Sequence, residues 1–100
     1  MTLQEKVYQV VGQVPKGKVT TYGDIGLLIG SKAYRQIGQI LHKNKNSQKV
    51  PCHRVVFKDG SLSENFGMGG REKQRDKLQT EGVTFINGKV DLAKHLNLVS

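Results

Sequence analysis

Five consecutive residues, Pro51-Cys52-His53-Arg54-Val55, carry the side chains in this sequence best suited to chemistry. A thiol attacks only as thiolate, and with an ordinary pKa of about 8.5 few per cent of it is ionised at neutral pH. A neighbouring base or cation raises that fraction. His53 is the candidate base, and Arg54 adds positive potential. Adjacent residues of a strand point to opposite faces, so their nearness in sequence does not by itself bring Cys52 onto His53. The competing interpretation is a buried cysteine packed as a small hydrophobe.

The elements that must position these residues can be read from spacing. Thr2 and Glu5 fit a capping box at the start of a helix whose apolar stripe is Val7, Val10, Val11 and Val14, ended by Pro15 and Gly17. Thr21 and Asp24 fit a second cap, opening a short helix through Ile25, Leu28 and Ile29 that stops at Gly30. Ser31 is the expected cap of a third helix from about Lys32 to Lys43. Its Ala33, Ile37, Ile40 and Leu41 fall on one side, and Arg35, Gln39, His42 and Lys43 on the other, with Gly38 at the border. Two short helices joined by a glycine-containing turn, the second with a basic outer face, suggest a helix-turn-helix. Three-helix cores without a DNA partner share this periodicity.

Val50 to Val56 is the next strand candidate, followed by a turn at Lys58-Asp59-Gly60. Gly67, Gly69 and Gly70 form a glycine-rich segment, and Arg71 to Glu81 is a charged helix closed by Gly82. Val83-Thr84-Phe85-Ile86 and Lys89-Val90 flank Asn87-Gly88, the signature of a tight hairpin. The expected fold is therefore mainly α with a small β hairpin, a winged helix-turn-helix, with residues 1–100 forming a single domain.

Composition narrows the partners. Sixteen Lys and Arg against eight Asp and Glu leave a net charge of +8. A polyanion fits that charge, and nucleic acid fits better than a membrane, because no stretch combines a basic face with large aromatics. A merely solvated basic surface is the alternative. No apolar run is long enough to span a bilayer, and Gln4, Glu5 and Lys6 interrupt any signal-peptide pattern. One cysteine forms no internal disulfide, and three scattered histidines offer no ligand pair at metal spacing. The expectation is a monomer in a reducing cytoplasm (or nucleus, in a eukaryote), with no cofactor and no metal.

Pro51-Cys52-His53-Arg54-Val55 resembles the active-site signature of the 6-O-alkylguanine-DNA alkyltransferases. The resemblance extends over nearly the whole chain. Gly17-Lys18-Val19-Thr20-Thr21-Tyr22-Gly23-Asp24-Ile25 is similar to the segment whose tyrosine crowds the phosphate of the target nucleotide. Ala33-Tyr34-Arg35-Gln36-Ile37-Gly38 resembles the recognition helix, whose arginine fills the gap left by a flipped base. Asn44 stands eight residues before Cys52, like the family's hinge asparagine, and Asp59-Gly60-Ser61-Leu62 and Glu81-Gly82-Val83 match as well.

The resemblance implies a double-stranded DNA partner containing alkylated guanine, entered through the minor groove. It assigns Tyr22, Arg35, Gly38 and Asn44 to DNA binding. Cys52, His53 and Glu81 become the catalytic set, Glu81 acting through His53 and a water to make Cys52 a thiolate. Pro51, Arg54, Phe66 and Gly69 support the pocket. There are departures. The domain that precedes this one in many members has no counterpart here. Phe66 stands where many members carry tyrosine, which removes a hydroxyl contact to the base. Tyr34 and Gln36 replace small residues that let the recognition helix approach the groove. The chain length and the Glu81-Gly82-Val83…Asp91-Leu92 ending also resemble the alkyltransferase-like proteins, which bind the lesion without repairing it, signal to excision-repair proteins and usually lack the cysteine. Retention of Cys52 favours catalysis. A winged-helix DNA binder without lesion chemistry is the third alternative.

Overall fold

A computed structural model of the chain describes residues 1–44, 49–62 and 70–97. Three helices come first. Helix α1 (Leu3–Gly12) starts at Thr2, whose side chain accepts from the Glu5 N–H while Glu5 reaches back to the Thr2 backbone, completing the expected capping box. Helix α2 (Tyr22–Ile29) is capped by Thr21, which accepts from the Asp24 N–H at 3.1 Å, and ends at Gly30 in the left-handed conformation. Helix α3 (Tyr34–His42) begins later than its sequence suggests. Ala33 is its N-cap, and the Ser31 hydroxyl instead accepts from the Ala33 N–H. Ser31 thus closes the turn between the helices and leaves α3 without a side-chain cap.

The turn is tight because Gly26 has no side chain. A Cβ there would lie 2.6 Å from both the Ser31 carbonyl oxygen and the edge of the Tyr34 ring. Tyr34 therefore folds its ring against α2 while remaining 45% exposed. Helices α1, α2 and α3 pack on one another around Val7, Val11, Ile25, Ile37 and Leu41. Leu28, expected among the apolar positions of α2, is largely exposed.

The segment expected as a strand from Val50 to Val56 is mostly something else. Residues Cys52–Arg54 form a single 3-10 turn, and only Val55–Val56 is extended (β2). Pro51 has no N–H to give to a ladder, and its carbonyl accepts from the Arg54 N–H at 2.9 Å, curling the chain. Strand β2 then pairs in parallel with β1 (Thr20–Thr21), Thr20 opposite Val55 and Thr21 opposite Val56. This second small sheet adds to the predicted hairpin. Alternation along β2 sends Val55 into the helical core and Val56 into a second core built from Val19, Leu62, Leu78, Val83 and Val90.

Helix α4 (Gly70–Thr80) lies over the 3-10 turn. The hairpin follows as β3 (Phe85–Ile86) and β4 (Lys89–Val90), shorter than expected on its first arm. Its corner is Asn87-Gly88, with φ of 53° and 79°. Those positive angles suit Asn and Gly and match the twist of a two-residue hairpin. The last helix, α5 (Leu92–His95), brings the chain back to β1, where Leu96 bridges Val19 and the Asn97 N–H donates to the Val19 carbonyl at 2.7 Å. His95 seals this return. Its Nε2 accepts from the Thr84 N–H at 3.0 Å and its Nδ1 donates to the Gly17 carbonyl at 2.9 Å.

Candidate active site and nucleic-acid interface

Cys52 opens the 3-10 turn and is buried in the helical core with Val50 and Val55. Its N–H donates to the Val50 carbonyl at 2.8 Å, and Pro51 and His53 on either side are buried too. Asn44, at the end of α3, donates from Nδ2 to the same Val50 carbonyl at 2.7 Å and also hydrogen-bonds the Cys52 side chain. The asparagine therefore fixes both the backbone before the thiol and the thiol itself.

His53 follows on the turn with Nε2 3.1 Å from Glu81 Oε2. That approach is close enough for strong charge coupling but is not aligned as a straight N–H···O bond. Its Nδ1 has no hydrogen-bond partner among the described residues. A carboxylate beside Nε2 favours the proton on that nitrogen and leaves the Nδ1 lone pair as the basic position.

Glu81 is held from the other side by Arg54. Arg54 Nε donates to Oε1 at 2.8 Å and Nη2 to Oε2 at 2.5 Å, while Nη1 donates to the Val14 carbonyl at 2.8 Å. A planar guanidinium matched to both carboxylate oxygens fixes orientation as well as charge. Glu81 lies just beyond α4, in the turn that Gly82 closes, and its N–H still donates to Leu78.

Two residues that the sequence analysis passed over complete the site. Gln74, on the buried face of α4, donates from Nε2 to the His53 carbonyl at 3.0 Å and to the Val55 carbonyl at 2.9 Å. It clamps the middle of the turn to the start of β2. Its signal in the sequence is a glutamine on the same helical face as Leu78, where an apolar residue is the norm. Lys77, one turn before Glu81, places a positive field on Cys52 and His53. Arg54, engaged by Glu81 and Val14, adds its positive field at His53, while Lys77 is the cation that acts on the thiol.

The electrostatics follow from burial. Burial pushes the Cys52 thiol up, against weaker downward pulls from Asn44, the backbone and Lys77. Burial also pushes His53 below 6.5, and Glu81 only partly offsets it. For Glu81 burial acts upward, but the hydrogen bonds from Arg54 and the close approach of His53 outweigh it and hold the carboxyl below 4.5. At neutral pH the site holds a neutral thiol, a neutral imidazole and a carboxylate. Such a set can pass the thiol proton to imidazole once an electrophile is bound.

The residues expected to meet DNA lie on other elements. Arg35 is exposed on the first turn of α3, and Ile37 faces the core. A Cβ added at Gly38 would meet no heavy atom within 4 Å, so the outer face of α3 is open there. Tyr22 is the first residue of α2, half-buried, with its ring centroid 5.2 Å from that of Phe57. Phe66 and Gly69 lie outside the described residues.

Comparison with known proteins supports one lineage. Residues 2–83 match the family described as "6-O-methylguanine DNA methyltransferase, DNA binding domain". The chain is 40% identical over 79 residues to alkyltransferase-like protein 1 of Schizosaccharomyces pombe, covering 78% of this chain and 73% of that protein. It is 38% identical over 93 residues to the Escherichia coli DNA base-flipping protein, covering 91% and 70%. A bifunctional methyltransferase/endonuclease of Picrophilus torridus is 38% identical over 93% of this chain, which spans only 31% of that protein. The crystal structure of S. pombe Atl1 with DNA containing O6-carboxymethylguanine superposes with a TM-score of 0.85 at 31% identity, covering 99% of this chain and 100% of that one. With a helix-turn-helix and a Cys-His-Arg turn matched along most of its length, the chain belongs to the family of the 6-O-methylguanine DNA methyltransferase DNA-binding domain.

Proposed function

We propose that this protein binds double-stranded DNA, flips a 6-O-alkylguanine out of the helix and transfers the alkyl group to its own Cys52. The observation that carries the proposal is the linked set of Glu81 with His53 and Arg54, the last two on the same turn as the buried Cys52, with the Asn44 amide on the thiol. Arg35 fills the space left by the base, and Tyr22 crowds the phosphate of the extruded nucleotide. Gly38 lets α3 approach the groove.

In this mechanism His53 takes the Cys52 proton at Nδ1 through a water, while Glu81 stabilises the imidazolium. The thiolate attacks the alkyl carbon and a new S–C bond forms. The C–O bond to guanine breaks with its electron pair on the oxygen, and guanine leaves after accepting a proton. A thiol whose pKa is raised by burial is the stronger nucleophile once ionised. The thioether has no route back, so each molecule acts once.

A second reading is a lesion sensor that binds alkylguanine without transfer and recruits excision-repair proteins. The full-length superposition on Atl1 favours it. Intact-mass measurement after incubation with duplex DNA containing 6-O-methylguanine separates the two. One methyl group per molecule is expected, and none on Cys52→Ala. An unmodified wild-type protein, on DNA it demonstrably binds, overturns transfer in favour of the sensor.

A further inference from the structure

Strands β1 and β2 run in parallel with Thr20 opposite Val55 and Thr21 opposite Val56, so the next residues out of the sheet are Tyr22 and Phe57. Their rings meet at a centroid separation of 5.2 Å and an interplanar angle of 42°, a favourable tilted contact. Phe57 is anchored through its backbone. Its N–H donates to the Ser61 carbonyl at 3.0 Å, and its carbonyl accepts from the Gly60 N–H at 2.8 Å. Yet the residue is 44% exposed, so burial in the core is not what its ring achieves. Phe57 directly follows β2, the strand that issues from the Cys52–Arg54 turn. One short register therefore links the thiol, through Val55 and Val56, to the ring of Tyr22.

We infer that Phe57 is a positioning residue for nucleotide flipping, holding the Tyr22 ring in the orientation in which it meets the backbone of the extruded nucleotide. The inference rests on the proposed flipping of alkylguanine. Phe57 makes no contact with the thiol; it acts through Tyr22. Loss of the ring contact removes one support of the Tyr22 ring, which also packs against the helical core, and the flipped state loses part of its preorganisation.

The test uses the full chain and a duplex carrying 6-O-methylguanine beside 2-aminopurine, whose fluorescence rises when its neighbour leaves the stack. This signal does not depend on alkyl transfer. Phe57→Ala is expected to lower the flipped population about two- to tenfold, the range of an aromatic pair. Methyl transfer from the duplex slows equally, transfer from free 6-O-methylguanine base is unchanged, and Phe57→Tyr restores both. In a Tyr22→Ala background Phe57→Ala adds nothing. Additive losses in that cycle, or a Phe57→Leu variant that flips like wild type, overturn the inference. A wild-type protein that gives no fluorescence rise overturns the flipping proposal and this inference with it, so the two failures are distinct. Thermal unfolding of each variant identifies any loss of fold.

Discussion

Arg54 holds Glu81 through both carboxylate oxygens, at 2.8 and 2.5 Å, and thereby aims one of them at His53 Nε2 3.1 Å away. The pair is mostly withdrawn from water, with side-chain exposures of 15% and 12%. Its guanidinium also reaches the Val14 carbonyl, so one side chain ties the end of α1, the 3-10 turn and the turn after α4 together.

Breaking that pair from one side strands a shielded charge. Arg54→Ala is expected to cost about 3 kcal/mol of stability, measured by urea unfolding. Arg54→Lys keeps the charge but loses the two-point geometry, so it regains part of the stability and little of the transfer rate. A loss below about 1 kcal/mol in Arg54→Ala would show the pair behaving as an exposed one.

Stability should depend on pH in two limbs. His53 has a folded pKa below 6.5, so as pH falls below 6.5 the unfolded chain takes up the proton first and stability declines. Glu81, held below 4.5, extends that decline as pH falls further through its folded value. Cys52, pushed above 9.0, keeps its proton longer in the folded state, so stability declines as pH rises past 9.0. Unfolding free energies measured across pH should form a plateau between 6.5 and 9.0. Cys52→Ala should weaken the alkaline limb and His53→Gln the acid one; unchanged limbs would place their origin elsewhere.

Gln74→Leu preserves bulk but leaves the His53 and Val55 carbonyls without their donor. The expected loss is about 2–4 kcal/mol, from two buried acceptors. Because the clamp acts on the Cys52–Arg54 turn and not on α3, the proposed alkyl transfer should slow while duplex affinity holds. A variant whose affinity and transfer fall together would show that the clamp supports the DNA-binding face as well.

Arg35→Ala removes an exposed helix side chain and should change folding free energy by no more than about 0.5 kcal/mol. Transfer from duplex DNA should slow about tenfold or more, since extruding a base costs a few kcal/mol that an inserted side chain partly recovers. Transfer from free 6-O-methylguanine base needs no extrusion and should stay near wild type. Equal slowing on both substrates would remove Arg35 from the intercalating role.

The residues proposed to bind DNA lie on α2 and α3 and Cys52 lies on the 3-10 turn, so Cys52→Ala should retain a preference for lesion-containing duplex. With a net charge of +8, affinity should fall steeply with salt as phosphate contacts release counterions. A flat salt titration by fluorescence anisotropy would contradict the electrostatic account.

Features encoded within a few residues were legible in the sequence itself. The Thr2–Glu5 box, the Thr21 cap, the Asn87-Gly88 corner and the outward Arg35 each follow from local hydrogen bonding, backbone preference or helical period. Cys52 and its neighbours were legible as a cluster, though not as a turn. What only the tertiary structure decided lies at long range. The β1–β2 pairing joins residues 35 apart in sequence in strands two residues long, too short to show any period. Arg54 meets Glu81 across 27 residues, Gln74 meets His53 across 21, and His95 meets Gly17 across 78. No local preference encodes such contacts. They form because two cores close on either side of β2, and polar groups shut in with them must find partners there.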